Sequence, residues 1–205
     1  MTTGDIDVVI VDRGGANLAS LQFALERLGA RSAVSSDADT VRRAPRVLLP
    51  GVGSAQDAMS RLRATGLDRV LPQLRQPVLG ICLGMQLLYE RSGEGDTPCL
   101  GIVPASVQRL VPARGLPVPH MGWNKVHPRC ADPLLEGLVD GEYLYFVHGY
   151  AAPVTADAVA VTEHGAAFTA VVRRRNFSGT QFHPERSGSA GARILDNFLR
   201  QATCS

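Results

Sequence analysis

The chain has 205 residues, of which 45% are hydrophobic and 20% are charged, as in an ordinary globular protein. Its 21 basic and 19 acidic residues leave a formal net charge of +2, which is too even to indicate binding to nucleic acid or to an anionic membrane. No apolar stretch approaches the ~20 residues that a membrane-spanning helix requires.

The spacing of cysteine and histidine residues gives no sign of a metal site. The four cysteines, Cys82, Cys99, Cys130 and Cys204, include no CxxC pair, and the five histidines show no HExxH-like spacing. We therefore expect no metal and no cofactor. The N-terminus has no basic region before its short apolar run, so we expect no secretory signal, and we expect free thiols in a reducing, cytoplasmic location.

The first half of the chain alternates continuous apolar runs with amphipathic segments. Asn17 is predicted to cap the first helix and Gly29 to end it. Such alternation predicts a parallel sheet that is covered by helices on both faces. The predicted order is strand 7–11, helix 18–28, strand 46–49, helix 54–63, strand 77–81 and helix 83–90.

The second half contains shorter strand-like runs separated by Pro and Gly, which is typical of antiparallel or mixed strands. A final helix is predicted from the apolar stripe of Ile194, Leu195, Phe198 and Leu199. One α/β domain spanning residues 1–205 with a mixed sheet is the simplest account. The predicted strands are 102–110, 143–147, 159–162, 168–172 and 180–182.

A cysteine stands at the junction between the third predicted strand and the helix that follows it. Residues 80–86 read GICLGMQ, so Cys82 has a glycine two residues before it and another two residues after it. This is the G-x-nucleophile-x-G elbow, in which larger flanking side chains would collide with the strand and the helix. The helix N-terminus behind Cys82 favours the thiolate form. A lone cysteine is more often a small buried hydrophobe, but this frame favours a nucleophile.

A candidate base lies near the C-terminus, where residues 181–185 read QFHPE. In an extended chain, residues two apart point to the same side, so His183 and Glu185 are predicted to meet. A carboxylate there holds the imidazole in the tautomer that exchanges protons with a thiol. Alone, the pattern is more typical of a surface turn; together with the elbow cysteine it favours a Cys82–His183–Glu185 triad.

Together, the motifs at 80–86 and 181–185 resemble those of the triad-type class I glutamine amidotransferases. Three further motifs resemble the glutaminase subunits of imidazole glycerol phosphate synthase within that family: PGVGS at 50–54, VPHMGWN at 118–124, and YFVH at 145–148 with Tyr150. The resemblance covers nearly the whole chain. It implies a flavodoxin-like class I glutamine amidotransferase fold of the α/β class, with a central, mostly parallel mixed sheet and helices on both faces.

The resemblance also implies an activity and a partner. Such subunits hydrolyse L-glutamine to glutamate and ammonia through a cysteinyl thioester. Each forms a heterodimer with a separate cyclase subunit, a (β/α)8 barrel that uses the ammonia to make imidazole glycerol phosphate and an aminoimidazole carboxamide ribotide in histidine biosynthesis. L-Glutamine is the implied substrate of this chain, and the cyclase is its implied partner.

Residue roles follow from the same resemblance. Cys82 would attack the amide carbon, His183 would serve as acid and base, and Glu185 would orient His183. The oxyanion hole would use backbone N–H groups of Val52 and Leu83, and loss of one such donor typically lowers the rate by about 10²–10³.

Further family positions concern the substrate and the partner. Gly53, Gln86 and Glu94 match positions that hold the glutamine, although Glu94 could equally be a loop charge. Trp123, the only tryptophan, would lie at the cyclase interface, where aromatic anchors are enriched; otherwise a buried core position is typical.

The chain departs from the family pattern at four positions without touching the triad. Arg13 and Ala16 replace a frequent aromatic residue and a glycine in the first loop. Ala55 replaces a frequent aromatic residue, and Gly149 stands where Ser or Thr is expected. These changes concern the first loop and the wall of the glutamine pocket.

Two other functions stay open at this point. The chain could be the glutaminase subunit of an amidotransferase for anthranilate, aminodeoxychorismate or pyridoxal phosphate synthesis, but several of those carry His where this chain has Met85. It could also be a catalytically silent binding module that keeps the fold for assembly, although the intact triad argues against that.

Overall fold

A computed structural model describes residues 6–12, 18–113 and 115–202 of the chain. Several features singled out in the sequence lie outside these residues. They are the turn at 13–15, the predicted cap Asn17, the departures Arg13 and Ala16, and Cys204.

The described residues form an alternating α/β chain that becomes mostly β in its second half. The helices are α1 (Leu18–Arg27), α2 (Ala38–Arg43), α3 (Ala55–Ala64), α4 (Leu67–Val70), α5 (Leu83–Gln86) and α6 (Gly188–Arg200). The strands are β1 (Val8–Val11), β2 (Ser32–Ser35), β3 (Val47–Gly51), β4 (Val78–Cys82), β5 (Tyr89–Ser92), β6 (Thr97–Pro98), β7 (Val103–Arg109), β8 (His120–Pro128), β9 (Glu142–His148), β10 (Tyr150–Ala151), β11 (Ala158–His164), β12 (Ala166–Arg174) and β13 (Phe177–Thr180). Single-turn helices cover Leu71–Gln73, Glu94–Asp96, Pro133–Leu135 and Pro184–Arg186.

Within the described residues the central sheet has nine strands in the order β2-β1-β3-β4-β13-β12-β11-β8-β9. The pairs from β2 to β13 are parallel, whereas those from β13 to β9 are antiparallel. A smaller sheet of four strands runs β10-β7-β5-β6. The mixed sheet predicted from the sequence is confirmed, with a parallel half built from the chain's start and an antiparallel half built from its end.

Helices cover both faces of the parallel half, as the alternation of side chains along β1 shows. Val8 and Ile10 pack with α1 and α6, whereas Val9 and Val11 pack against the face that carries α2, α3 and α4. All four residues of β1 are buried, which is the pattern of a strand covered on both sides. The segments that follow β3 and β4 therefore meet at the carboxyl edge of this half, where ligands gather in such sheets.

The structure corrects two predicted elements. The helix predicted at 83–90 ends at Gln86, and the chain then enters β5, where Tyr89 pairs with Val103. The strand predicted at 180–182 is placed earlier, at Phe177–Thr180, because this segment pairs with β4 in parallel. The motif around Trp123 forms the long strand β8, which was not predicted as a strand.

Candidate active site

Cys82 ends strand β4 and directly precedes helix α5. Its backbone has φ 53° and ψ −111°, a conformation that non-glycine residues rarely adopt and that costs on the order of 1–3 kcal/mol. Such strain persists only where the surroundings impose it. Here β4 is paired on both sides, with β3 and β13, so the sharp turn projects the side chain from the carboxyl edge of the sheet.

The two glycines around Cys82 are required by close backbone contacts. A β-carbon on Gly80 would lie 2.6 Å from the carbonyl oxygen of Gly84, and one on Gly84 would overlap the carbonyl oxygen of Leu49 in β3. Helix α5 therefore packs directly on the strands through its glycine. This contact explains the G-x-C-x-G spacing in physical terms.

His183 and Glu185 meet as predicted, with His183 Nδ1 2.8 Å from Glu185 Oε1. The route differs from the prediction, because Pro184–Arg186 forms a helical turn and not an extended strand. The His183 backbone is held on both sides: its N–H donates to the Tyr145 carbonyl at 2.9 Å, and its carbonyl accepts from the Ser187 hydroxyl at 2.7 Å. The side chains of His183 and Glu185 are nearly buried, with exposed fractions of 12% and 11%.

Cys82 and His183 line the same cleft and interact electrostatically, although 101 positions separate the two residues in the sequence. Burial alone would lower the pKa of His183, but the hydrogen bonds and negative charge of Cys82 and Glu185 outweigh it and raise the pKa to about 10. The arrangement therefore favours an imidazolium held between the sulfur and the carboxylate. Such a pair supplies a nucleophile and a proton donor together.

Two groups contact the sulfur directly. The Val147 carbonyl oxygen lies 3.6 Å from Cys82 Sγ, and the Gln181 side-chain nitrogen Nε2 lies 3.7 Å from it. The carbonyl can accept the thiol proton, and the amide can donate to the thiolate. Sequence reasoning assigned no role to Gln181, which is fully buried.

Cys82 and His183 lie in a half-open cleft of about 380 Å³, a volume in the range of small-molecule sites. The five residues predicted to form the oxyanion hole or to hold the substrate all line this cleft: Val52, Gly53, Leu83, Gln86 and Glu94. The structure also places His148, Gly149, Tyr150 and Arg186 on its wall. The cleft thus brings together residues from both halves of the chain.

The oxyanion-hole candidates come from the segment after β3 and from the first residue of α5. In the parallel pairing of β3 with β4, Gly51 lies opposite Cys82, so the segment that follows β3 lies beside Cys82. Gly53 has φ 86°, which favours glycine, and Val52 is 43% exposed. Leu83 is the first residue of α5, where a backbone N–H is free of the helix ladder.

The two polar substrate candidates already have protein partners. Gln86 Nε2 donates to the Tyr150 carbonyl at 2.8 Å and to Gln181 Oε1 at 2.9 Å, which uses both of its protons. Its own Oε1 is therefore the atom that it can offer to a ligand amine. Glu94 is not a plain loop charge, because its Oε2 accepts the Ala55 N–H at 2.7 Å, at the start of α3.

Trp123 is 55% exposed, so it is not the buried core residue that a single tryptophan typically is. It packs edge-on against Tyr145 on the neighbouring strand, with ring centroids 5.8 Å apart. Met121 and Tyr143, on the same pair of strands, are 64% and 53% exposed. These large side chains form an apolar patch on the outer face of β8 and β9.

Sequence reasoning missed a histidine pair beside the cleft. His120 and His148 were set aside because they lack metal-ligand spacing, but they are buried and hydrogen-bonded to each other. Among the described residues, no group of His, Cys, Asp and Glu side chains is arranged to hold a metal ion. A signal was present in the sequence, since both histidines lie in motifs that carried the family resemblance.

A model of the family "Glutamine amidotransferase class-I" matches residues 9–202. The chain belongs to the class-I glutamine amidotransferase family. It is 56% identical over 196 residues to the imidazole glycerol phosphate synthase subunit HisH of Xanthomonas campestris. The matched region covers 96% of this chain and 98% of that protein. It is 54% identical over 193 residues to the protein of the same name from Xylella fastidiosa, covering 94% and 96%.

Solved structures share the amidotransferase fold. PurLQS from Thermotoga maritima superposes with a TM-score of 0.72 at 20% identity, covering 94% of this chain and 96% of that chain. A structure described as glutamine amidotransferase gives 0.72 at 20% identity, covering 93% and 96%. The predicted family and fold are confirmed. No helix within the described part of this amidotransferase is long and apolar enough to cross a membrane.

Proposed function

We propose that this chain is the glutaminase subunit of imidazole glycerol phosphate synthase, with Cys82, His183 and Glu185 as its catalytic triad. One observation carries the proposal: His183 is hydrogen-bonded to the Glu185 carboxylate and lines the same cleft as Cys82, which helps to raise the pKa of the imidazole. The HisH relatives support the choice among amidotransferases, because their similarity extends over nearly the whole chain. The histidine-biosynthesis role is therefore preferred to the anthranilate, aminodeoxychorismate and pyridoxal alternatives.

The chemistry begins with an attack on the side-chain amide carbon of L-glutamine by the Cys82 thiolate. The carbonyl oxygen takes up the negative charge, and backbone N–H groups of Val52 and Leu83 stabilise it. His183 transfers its proton to the amide nitrogen, the carbon–nitrogen bond breaks, and ammonia leaves. A glutamyl thioester stays on Cys82.

Water then completes the cycle. Neutral His183 takes a proton from the water as its oxygen attacks the thioester carbon, and Glu185 stabilises the imidazolium that forms. The carbon–sulfur bond breaks, which releases glutamate and restores the thiolate. No metal or cofactor takes part in either half of this scheme.

The substrate's α-amino and α-carboxylate groups would lie at the far end of the cleft. Gln86 Oε1 and the unbonded Glu94 oxygen accept from the ammonium, and the backbone at Gly53 donates to the carboxylate. Ammonia then passes to the proposed cyclase partner, which docks on the exposed patch that contains Trp123. A reducing, cytoplasmic location belongs to the same proposal, because the nucleophilic thiol has to stay unoxidised.

The test uses the subunit in complex with the cyclase. Cys82→Ala is expected to abolish glutamine-dependent synthesis and to leave synthesis from added ammonium salt unchanged. Cys130→Ala, which replaces an exposed cysteine outside the cleft, is the matched control and should keep both activities. Glutamine hydrolysis by Cys82→Ala at the parent rate would refute the assignment. It would also be refuted if the parent complex made no product from either glutamine or ammonium salt.

A further inference from the structure

Gln181 lies immediately after strand β13, between the nucleophile and Gln86. Its side chain is fully buried, with Nε2 directed at Cys82 Sγ over 3.7 Å and Oε1 accepting from Gln86 Nε2 at 2.9 Å. A primary amide carries two donors at one end and an acceptor at the other, so the direction in which it points decides what the sulfur meets. With its present orientation the amide offers an N–H to the thiolate.

Gln86 determines that orientation, and the Tyr150 carbonyl in turn determines the orientation of Gln86. A carbonyl oxygen only accepts, so the Gln86 group that lies 2.8 Å from Tyr150 has to be the amide nitrogen. The other proton of that nitrogen faces Gln181, whose nearer atom must then be the oxygen. A reversed Gln181 would place two donors together and turn a carbonyl oxygen towards the thiolate, and both contacts are repulsive.

The same Tyr150 carbonyl accepts a second hydrogen bond from His148, whose Nδ1 lies 2.8 Å away. His148 Nδ1 therefore carries the proton, and its Nε2 is the acceptor for His120 Nδ1 at 2.9 Å. His120 Nε2 is left as an acceptor, and the Asn124 side-chain amide nitrogen lies 3.1 Å from it. Each ring nitrogen has a compatible partner only when both histidines are neutral.

Burial supports the neutral state of the pair. It lowers the pKa of His148 to about 3 and that of His120 to about 4, and the neighbouring His164 adds to both effects. Protonation of His148 would place two N–H groups against each other across 2.9 Å. The ring of His164 stacks on His120 with centroids 4.2 Å apart, which holds the pair from its outer side.

We propose that His120 and His148 are positioning residues for the nucleophile, and that they act through the Tyr150 carbonyl, Gln86 and Gln181 to hold an amide N–H against the Cys82 sulfur. The bonds form one continuous chain from strand β8, at Asn124, to the active site. Gln181 touches the reacting atom, whereas the two histidines keep the chain in its working direction. The inference rests on the proposed function, because it assumes that Cys82 is the nucleophile.

Replacement of His148 by two residues of different chemistry provides the test. His148→Phe keeps an aromatic ring but removes both nitrogens, whereas His148→Asn keeps an N–H close to the position of Nδ1, so it restores the bond to the Tyr150 carbonyl. With the cyclase complex, His148→Phe is expected to lower kcat for glutamine about tenfold or more with little change in KM, and His148→Asn to recover most of that loss. Equal impairment of the two variants, or no impairment in either, would overturn the proposal.

A second readout does not need glutamine. The rate at which iodoacetamide alkylates Cys82 reports the reactivity of the sulfur itself, and it should fall in His148→Phe and in Gln181→Met, which keeps the length of the side chain but has no donor. His127→Phe, on the exposed side of β8, is the control and should react at the parent rate. Parent-like alkylation in Gln181→Met would also contradict the proposal, even if His148→Phe failed to fold.

The two readouts separate failure of this inference from failure of the proposed function. If the parent complex released no ammonia from glutamine, the proposed function would fail, while alkylation could still show the effect of Gln181 on the sulfur. If the parent complex were active and neither readout changed in the variants, only the positioning chain would be wrong. Proton–nitrogen correlation spectra of the histidine rings should also show Nδ1–H tautomers at His120 and His148.

Discussion

The carboxylate of Glu94 accepts a hydrogen bond from the backbone N–H of Ala55, 2.7 Å away, at the first turn of helix α3. Glu94 also lines the cleft that contains Cys82. A single carboxylate therefore joins the start of a helix, where negative charge is favourable, to the wall of the proposed glutamine site.

These two roles of Glu94 can be separated by two substitutions. Glu94→Gln keeps an acceptor for Ala55 and should change the free energy of unfolding little, but it should raise KM for glutamine because the ammonium loses its negative partner. Glu94→Ala should raise KM similarly and also cost about 0.5–2 kcal/mol of stability, as the loss of a helix cap does. Urea unfolding and steady-state kinetics measure the two effects, and an unchanged KM in both variants would restrict Glu94 to a structural role.

Gly84 should tolerate no side chain. Because a β-carbon there would overlap the Leu49 carbonyl oxygen, Gly84→Ala has to push α5 away from β3. We expect a loss of about 3 kcal/mol or more in the free energy of unfolding, measured by urea denaturation. A variant as stable as the parent would show that the helix does not pack on the strand as described.

Gly149 is the matched contrast, since the family often has Ser or Thr at this position. Among the described residues, a β-carbon there would meet Val118 alone, at an ordinary contact distance of 3.8 Å. Gly149→Ser should change stability by no more than about 0.5 kcal/mol and leave glutamine hydrolysis close to the parent rate. A large loss of stability or of glutamine hydrolysis would mean that other residues of the cleft have adapted to glycine at position 149.

The histidine pair predicts a specific dependence of stability on pH. The folded pKa values of His148 and His120, about 3 and about 4, lie below the unfolded value of about 6.5. Between these pH values the unfolded chain binds more protons than the folded chain. The stabilisation that the neutral histidine pair contributes is therefore fully present above pH ~6.5 and is lost as the pH falls towards ~4.

Substitution of His148 isolates this contribution. We expect the free energy of unfolding of the parent to fall more steeply from pH ~7 to ~5 than that of His148→Asn, with a difference on the order of 1–3 kcal/mol. Urea unfolding across this range gives both slopes, and the groups common to both proteins cancel in the comparison. Parallel slopes would contradict the neutral, buried pair.

Trp123 tests the proposed partner surface. It is exposed on β8 beside Met121 and Tyr143, and an aromatic anchor of this kind typically contributes about 2 kcal/mol or more to an interface. Trp123→Ala should therefore weaken cyclase binding by about 30-fold, measured by calorimetry, without lowering the stability of the free subunit. Val154→Ala, which removes exposed apolar surface from the segment between β10 and β11, is the control. Unchanged affinity in Trp123→Ala would move the interface elsewhere.

The sequence was most informative where the chemistry is local. The elbow at Cys82 could be predicted because the two glycines, the strand and the helix are all within a few residues of it. The meeting of His183 with Glu185 was predicted for a different geometry, since proline at 184 starts a helical turn instead of extending the strand. The two residues touch because one turn also brings positions two apart within reach of long side chains.

The remaining features depend on contacts between segments that are distant in the sequence, and the spacing of residues along the chain does not reveal such contacts. The predicted helix at 83–90 ended early because Leu87, Leu88 and Tyr89 are buried on all sides, and a continuous apolar run fits a buried strand as well as a helix. The bond between His120 and His148 exists because these residues are opposite each other in the pairing of β8 with β9. Gln181 could not be connected with Cys82 before the parallel register of β13 with β4 was known.

Trapping of the covalent intermediate tests the central claim most directly. The complex would be mixed with glutamine, quenched in acid during turnover and digested, and the cysteine peptides would be weighed by mass spectrometry. We predict one glutamyl group on Cys82, none on Cys99 or Cys130, and none in a parallel sample that contains glutamate in place of glutamine. Consumption of glutamine with unmodified Cys82, or with the glutamyl group on another cysteine, would contradict the account.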